Sequence, residues 1–283
     1  MLPMWVWALV AWAALAGGSL AAGLLAPVWS RRVAGAGRRG VVWLGRHTVA
    51  VLSGTVAVWG LAVLWSAGGF PLAHIHDEFS YLLAADTFAH GRLANPPHPF
   101  WPSLETFHVN QRPVYVSMYL PGRGLMLAAG QALLGHPWMA VWASALGMVV
   151  AVYWAALGWL PRMWAAGAGV ASSGIVMGGY WLSSYWGGTL AAIGGALVVG
   201  SWPRVAQGRR WGPVAFGIGA AILLYTRPWE GGPLVILVGL RFLRRGVAAW
   251  GPVVVLLGLA GGWLGYYNWR TTGNPLEPAY LSN

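Results

Sequence analysis

Eight long apolar runs leave this chain little choice of solvent. They lie at roughly 2–29, 48–69, 138–160, 163–182, 188–202, 212–226, 228–243 and 247–268, and each reads as a membrane-spanning helix. Only 8% of the residues are charged and mean hydropathy is +0.59, whereas a soluble domain carries about 25% charged residues. The expected fold class is therefore all-α, a polytopic membrane protein of about eight spans. Cysteine is absent, which removes disulfides, thiol chemistry and cysteine metal sites.

All 17 basic side chains are arginine and the net charge is +11. In a soluble chain that excess would suggest nucleic acid. Here the arginines sit in short loops between apolar runs, which is a topology signal, and no nucleic acid partner is expected. The first run has no basic residue before it and is followed by Arg31, Arg32, Arg38 and Arg39, so it reads as an N-out anchor rather than a cleaved signal. Placing that loop in the cytoplasm puts 12 of the 17 arginines there by alternation. It also puts Asp77, Glu78, Asp86, Glu105, Glu230 and Glu277 on the outer side, with every histidine except His47. Acidic residues contribute little to topology. Their segregation therefore points to a site.

The long polar segment from about Pro71 to Arg123 exceeds what an idle connector needs. Its opening, His76-Asp77-Glu78-Phe79, begins a helical pattern that ends at Gly91 and suits a helix on the membrane surface. A second such helix is expected over Gly124–Leu134, too short to span. Three later runs, 188–202, 212–226 and 228–243, hold about 15 residues each. They would reach about 22 Å into a hydrocarbon core about 30 Å thick. With their inner ends pinned by arginines, the shortfall should open a recess on the outer side. Arg227-Pro228-Trp229-Glu230 would sit at its bottom.

Asp77-Glu78, just past the second span, could supply a general base toward an acceptor hydroxyl or bind a divalent cation. It could equally be a helix N-cap followed by a residue favoured by the helix dipole. A guanidinium such as Arg227 suits a phosphate, with Glu230 orienting it, although the two could simply pair across a helix hairpin. Arg123 could meet a lipid phosphate or anchor in headgroups. His74 and His76 alternate along an extended segment and could face a metal together with Glu78, or make ordinary polar contacts. The glycine pairs 187–188 and 194–195 suit close helix packing rather than phosphate binding, and the 21 tryptophans suit interfacial belts.

These residues, in this order, resemble the membrane glycosyltransferases of the GT-C fold, the group that includes protein O-mannosyltransferases and the aminoarabinose transferase of lipid A. The matching stretches are HDEFSYLLAADTFAHGRL from His76, FWPSLETFHV from Phe100, YLPGRGLMLAAGQALLGHPW from Tyr119, SYWGGTLAAIGGALV from Ser184, RPWEGG from Arg227 and YYNWRTTGNPL from Tyr266. The resemblance implies a bacterial inner-membrane or plasma-membrane enzyme with its active site facing the periplasm or exterior. It would move a sugar, with inversion, from a polyprenyl-phosphate donor to a glycan, lipid or protein acceptor. On that pattern Asp77 is the base or metal-proximal carboxylate and Glu78 supports it. Arg227, Glu230, Arg123 and Tyr185 bind substrate, and His76 is a candidate metal ligand. A transporter or flippase of lipid-linked sugars, or a non-catalytic subunit binding a lipid phosphate, are the alternatives. The family core is expected over 48–283, with its outer loop at 71–124. Residues 1–47 look additional, and the core looks shortened at its C-terminus because family members usually continue through more spans. Lysines that some members use toward the donor phosphate do not occur here, so arginine would have to serve.

Overall fold

The computed structural model describes residues 31–242 and 247–282. Among them the chain is mostly helical, in the order α1 (Arg31–Ser66), α2 (His76–Ala89), α3 (Pro121–Leu134), α4 (Pro137–Ala156), α5 (Arg162–Gly178), α6 (Gly188–Ala206), α7 (Trp211–Thr226), α8 (Pro228–Leu240) and α9 (Val247–Thr272). A two-stranded antiparallel ribbon, β1 (Val109–Asn110) and β2 (Val116–Ser117), lies between α2 and α3, with Val109 opposite Ser117.

Among the described residues, four helical stretches are long and apolar enough to cross a membrane: Gly45–Ser66, Pro137–Ala156, Gly188–Ala206 and Trp250–Thr272. The expected count of eight is not reached. The run at 2–29 lies outside the described residues. The runs at 163–182, 212–226 and 228–243 form helices of 17, 16 and 13 residues. The run at 188–202 proves longer than expected, because α6 continues through Pro203 to Ala206. Residues 31–46, expected as a loop, are helical, and α1 bends at His47, whose φ of −112° and ψ of 15° leave the helical region.

Glycine contacts set the packing directions. A Cβ on Gly194 of α6 would meet Gly219 of α7 at 3.0 Å, while Gly212 of α7 lies against Val205, so these neighbours run antiparallel with their backbones in close approach. Gly200 of α6 packs on Ala155 of α4 and Gly147 of α4 on Ile193, so α4 and α6 run parallel. Buried Val198, Phe216, Leu223, Phe242 and Val253 fill one core, Leu52, Val56, Leu127, Trp138, Val141 and Val149 fill a larger one, and Val116, Tyr267 and Ala279 form a small third.

This alternation gathers every carboxylate at one end of the bundle, where residues 67–136, 179–187, 227–230 and 273–282 meet. Arg46, Arg162, Arg204, Arg209, Arg210 and Arg241 lie at the other. Proline starts α3, α4 and α8 at a position where its missing N–H costs nothing. Gly135 ends α3 in the left-handed region, at φ 78°. The Trp138 indole donates to the Leu182 carbonyl at 2.7 Å, which ties the segment before α6 to α4.

Candidate functional site

Asp77 and Glu78 are neighbours about 100° apart on a helix, and they face different surroundings. The helix starts at His76 with Ile75 as N-cap and no side-chain capping bond, so Asp77 is not a cap. Its carboxylate is reached by three side chains from distant parts of the chain. Tyr119 donates its hydroxyl to Oδ1 at 2.6 Å, Trp186 donates its indole N–H to Oδ2 at 2.9 Å, and His108 Nε2 stands 3.0 Å from Oδ1. Tyr119 stacks on Tyr81, with ring centres 4.5 Å apart. Burial and the Asp77 carboxylate both push the Tyr119 phenol well above its ordinary range, in keeping with a proton that stays on tyrosine as donor.

Glu78 turns inward and is 3% exposed. Its Oε2 accepts the backbone N–H of Tyr185 at 3.2 Å. The carbonyl of Tyr185 accepts from Arg123 Nε at 2.9 Å, and its hydroxyl donates to the Pro71 carbonyl at 2.9 Å. Tyr185 is therefore buried scaffold, not a residue facing a ligand. Trp186, the next residue, reaches the Asp77 carboxylate and takes the place expected of Tyr185.

Asp77, Arg123, Arg227 and Glu230 line one cavity of about 530 Å³, together with Tyr81, Tyr119, Trp186, Trp229 and Tyr280. Arg123 enters from the first turn of α3. It is 3% exposed, and its Nη2 has no hydrogen-bond partner among the described residues. Burial lowers its pKa to about 10, with Tyr81 and Glu78 opposing the shift, so the guanidinium remains charged near neutral pH. A buried donor without an acceptor costs about 1–3 kcal/mol, and more when charged. Such a group asks for an anion. Arg227, at the junction of α7 and α8, is exposed and 3.2 Å from Glu230 Oε1. Gly122 makes the junction possible: a Cβ there would lie 2.7 Å from the Tyr225 carbonyl, so only glycine lets α3 approach the end of α7 this closely.

The expected metal set does not form. Glu78 points into the protein, whereas His76 packs beside Phe107 and His108. Among the described residues no three histidine or carboxylate side chains converge to hold an ion. The sequence reading also missed His108, Tyr119 and Trp186. All three lie inside stretches singled out for other reasons. His108 gave no periodic signal, since only the ribbon brings it to Asp77.

Comparison with protein-family models, with curated proteins and with solved structures found no match for this chain.

Proposed function

We propose that this protein is an inverting glycosyltransferase of GT-C type, using a polyprenyl-phosphate sugar as donor at the carboxylate-bearing face of the membrane. The observation that carries the reading is one cavity holding a braced carboxylate, Asp77, together with two guanidinia, Arg123 and Arg227. Displacement at an anomeric carbon needs that pairing. Asp77 takes the proton from the acceptor hydroxyl while its oxygen bonds to C1, and the C1–O bond to phosphate breaks, its electron pair leaving with the phosphate. Positive charge from Arg123 and Arg227 stabilises the departing group.

The remaining walls suit the same substrate. Tyr81, Tyr119, Trp186, Trp229 and Tyr280 offer flat apolar faces with polar edges, a combination fitting a sugar ring. On α8, Ile236 and Leu237 are exposed, giving a prenyl chain an apolar flank that begins at the cavity. Glu230 keeps the Arg227 guanidinium oriented when no phosphate is present.

The test is transfer by purified protein from polyprenyl-phosphate sugars to added acceptors, with Asp77→Asn as control. Transfer is expected with the intact protein, and a loss of about 10²–10⁴-fold in the variant, the usual contribution of a general base. Donor crossing vesicle membranes uncleaved would identify a transporter instead. Donor binding without turnover, equal in both proteins, would identify a non-catalytic subunit.

A further inference from the structure

His108 occupies an unusual backbone position beside Asp77. Its φ is +67°, a left-handed conformation rarely adopted by a non-glycine residue. Three contacts hold it there: its carbonyl accepts from Ser80 Oγ and from the Met118 N–H, and β1 begins at the next residue. Strain of this kind costs about 1–3 kcal/mol and persists where surrounding structure enforces it. The ring it presents has Nε2 at 3.0 Å from Asp77 Oδ1 and Nδ1 at 3.1 Å from the Tyr119 hydroxyl. His108 is about one-third exposed, whereas Asp77 is less so, and it is not among the residues lining the cavity.

We infer that His108 is the positioning and proton-exit residue for Asp77, a role that rests on the glycosyl-transfer reading. Once Asp77 holds the acceptor proton, the cavity in front of it is occupied by product and phosphate. His108, outside the cavity lining and about one-third exposed, offers another way to water. The proton passes from the Asp77 carboxyl to His108 Nε2, which restores the carboxylate, and the ring then releases a proton to water and returns to its neutral form. No other reactant is consumed. The titratable groups facing His108 are Asp77 and His76 from α2 and Tyr119 from the segment after β2, with Arg227 acting on Tyr119 across the cavity.

His108→Gly is the informative variant, because glycine adopts φ +67° without strain and leaves a ring-sized opening. Transfer should fall about 10–100-fold, toward the lower end of what positioned proton transfer contributes. Added imidazole should restore it several-fold, with the rate following the basicity of substituted imidazoles. Full activity in His108→Gly, or a deficit that imidazole leaves untouched while His108→Asn restores the rate, overturns the exit role. A separate readout needs no turnover: the His108 ring ¹⁵N signals, assigned by their loss in His108→Gln, should move in Asp77→Asn. Unmoved signals overturn the coupling. If Asp77→Asn itself transfers normally, the glycosyltransferase reading has failed, a result distinguishable from failure of the His108 role alone.

Discussion

The two ends of the bundle satisfy their charges in opposite ways. At the arginine end, Arg204 and Arg209 find partners on their own or an adjacent helical segment. Arg204 donates to the Gly200 carbonyl one turn back and to Trp154 on the neighbouring α4, and lies over the Trp154 ring at 3.5 Å, while Arg209 donates to Gln207. At the carboxylate end Arg227 and Glu230 pair locally, but the partners at the heart of the site come from far apart: Asp77 is bound by residues 119 and 186, and Asn110 donates to the Ala279 carbonyl. Local satisfaction stabilises helix ends and leaves nothing over. Distant satisfaction requires loops to converge, and the convergence encloses a cavity. On the proposed reading, chemistry belongs to the carboxylate end, where the cavity lies.

Substitutions can break that contrast. Arg123→Ala should lower transfer about 10²–10³-fold, the usual cost of one preorganised donor to a developing anion, with donor affinity measured alongside. Next, Gly122→Ala should lower transfer by up to about 10²-fold through misplacement of α3 against α7, although it touches no ligand. Arg227→Ala should weaken donor binding about tenfold, less than Arg123→Ala because its exposed charge is screened by water. Glu78→Ala should show mainly as stability, about 1–3 kcal/mol from the orphaned Tyr185 N–H, read by the thermal unfolding midpoint. Smallest, Arg204→Ala should cost about 1–2 kcal/mol and leave the transfer rate unchanged. A fall in transfer with Arg204→Ala equal to that with Arg227→Ala would erase the distinction between the ends.

What could be read from the residues follows the reach of each interaction. Apolar runs announce helices, and the arginine spacing announced the alternation that gathers six carboxylates at one end. Asp77 and Arg227 were legible because charge beside an apolar run is costly unless used. The number of crossings was not legible from hydropathy alone, since 212–226 and 228–243 give helices of 16 and 13 residues whose ends form the cavity wall. Trp186 was lost to a one-residue choice in the irregular segment before α6, and His108 to a ribbon of two-residue strands too short to leave a pattern. The pull of Asp77 and Glu78 to opposite sides depends on tertiary partners that neither residue type reveals.

The main chain of Tyr185 lies between Glu78 and Arg123, one grasping its N–H and the other its carbonyl. Had the two side chains met directly, the acid would have quenched the guanidinium and filled its hydrogen-bonding fork. With a peptide dipole interposed, the compensating charge is close enough to make a cation tolerable in the interior, yet too far away to occupy its outermost nitrogen. Interior neutrality and an appetite for anions thus coexist at one side chain, and a bound phosphate would complete the set rather than displace a member of it.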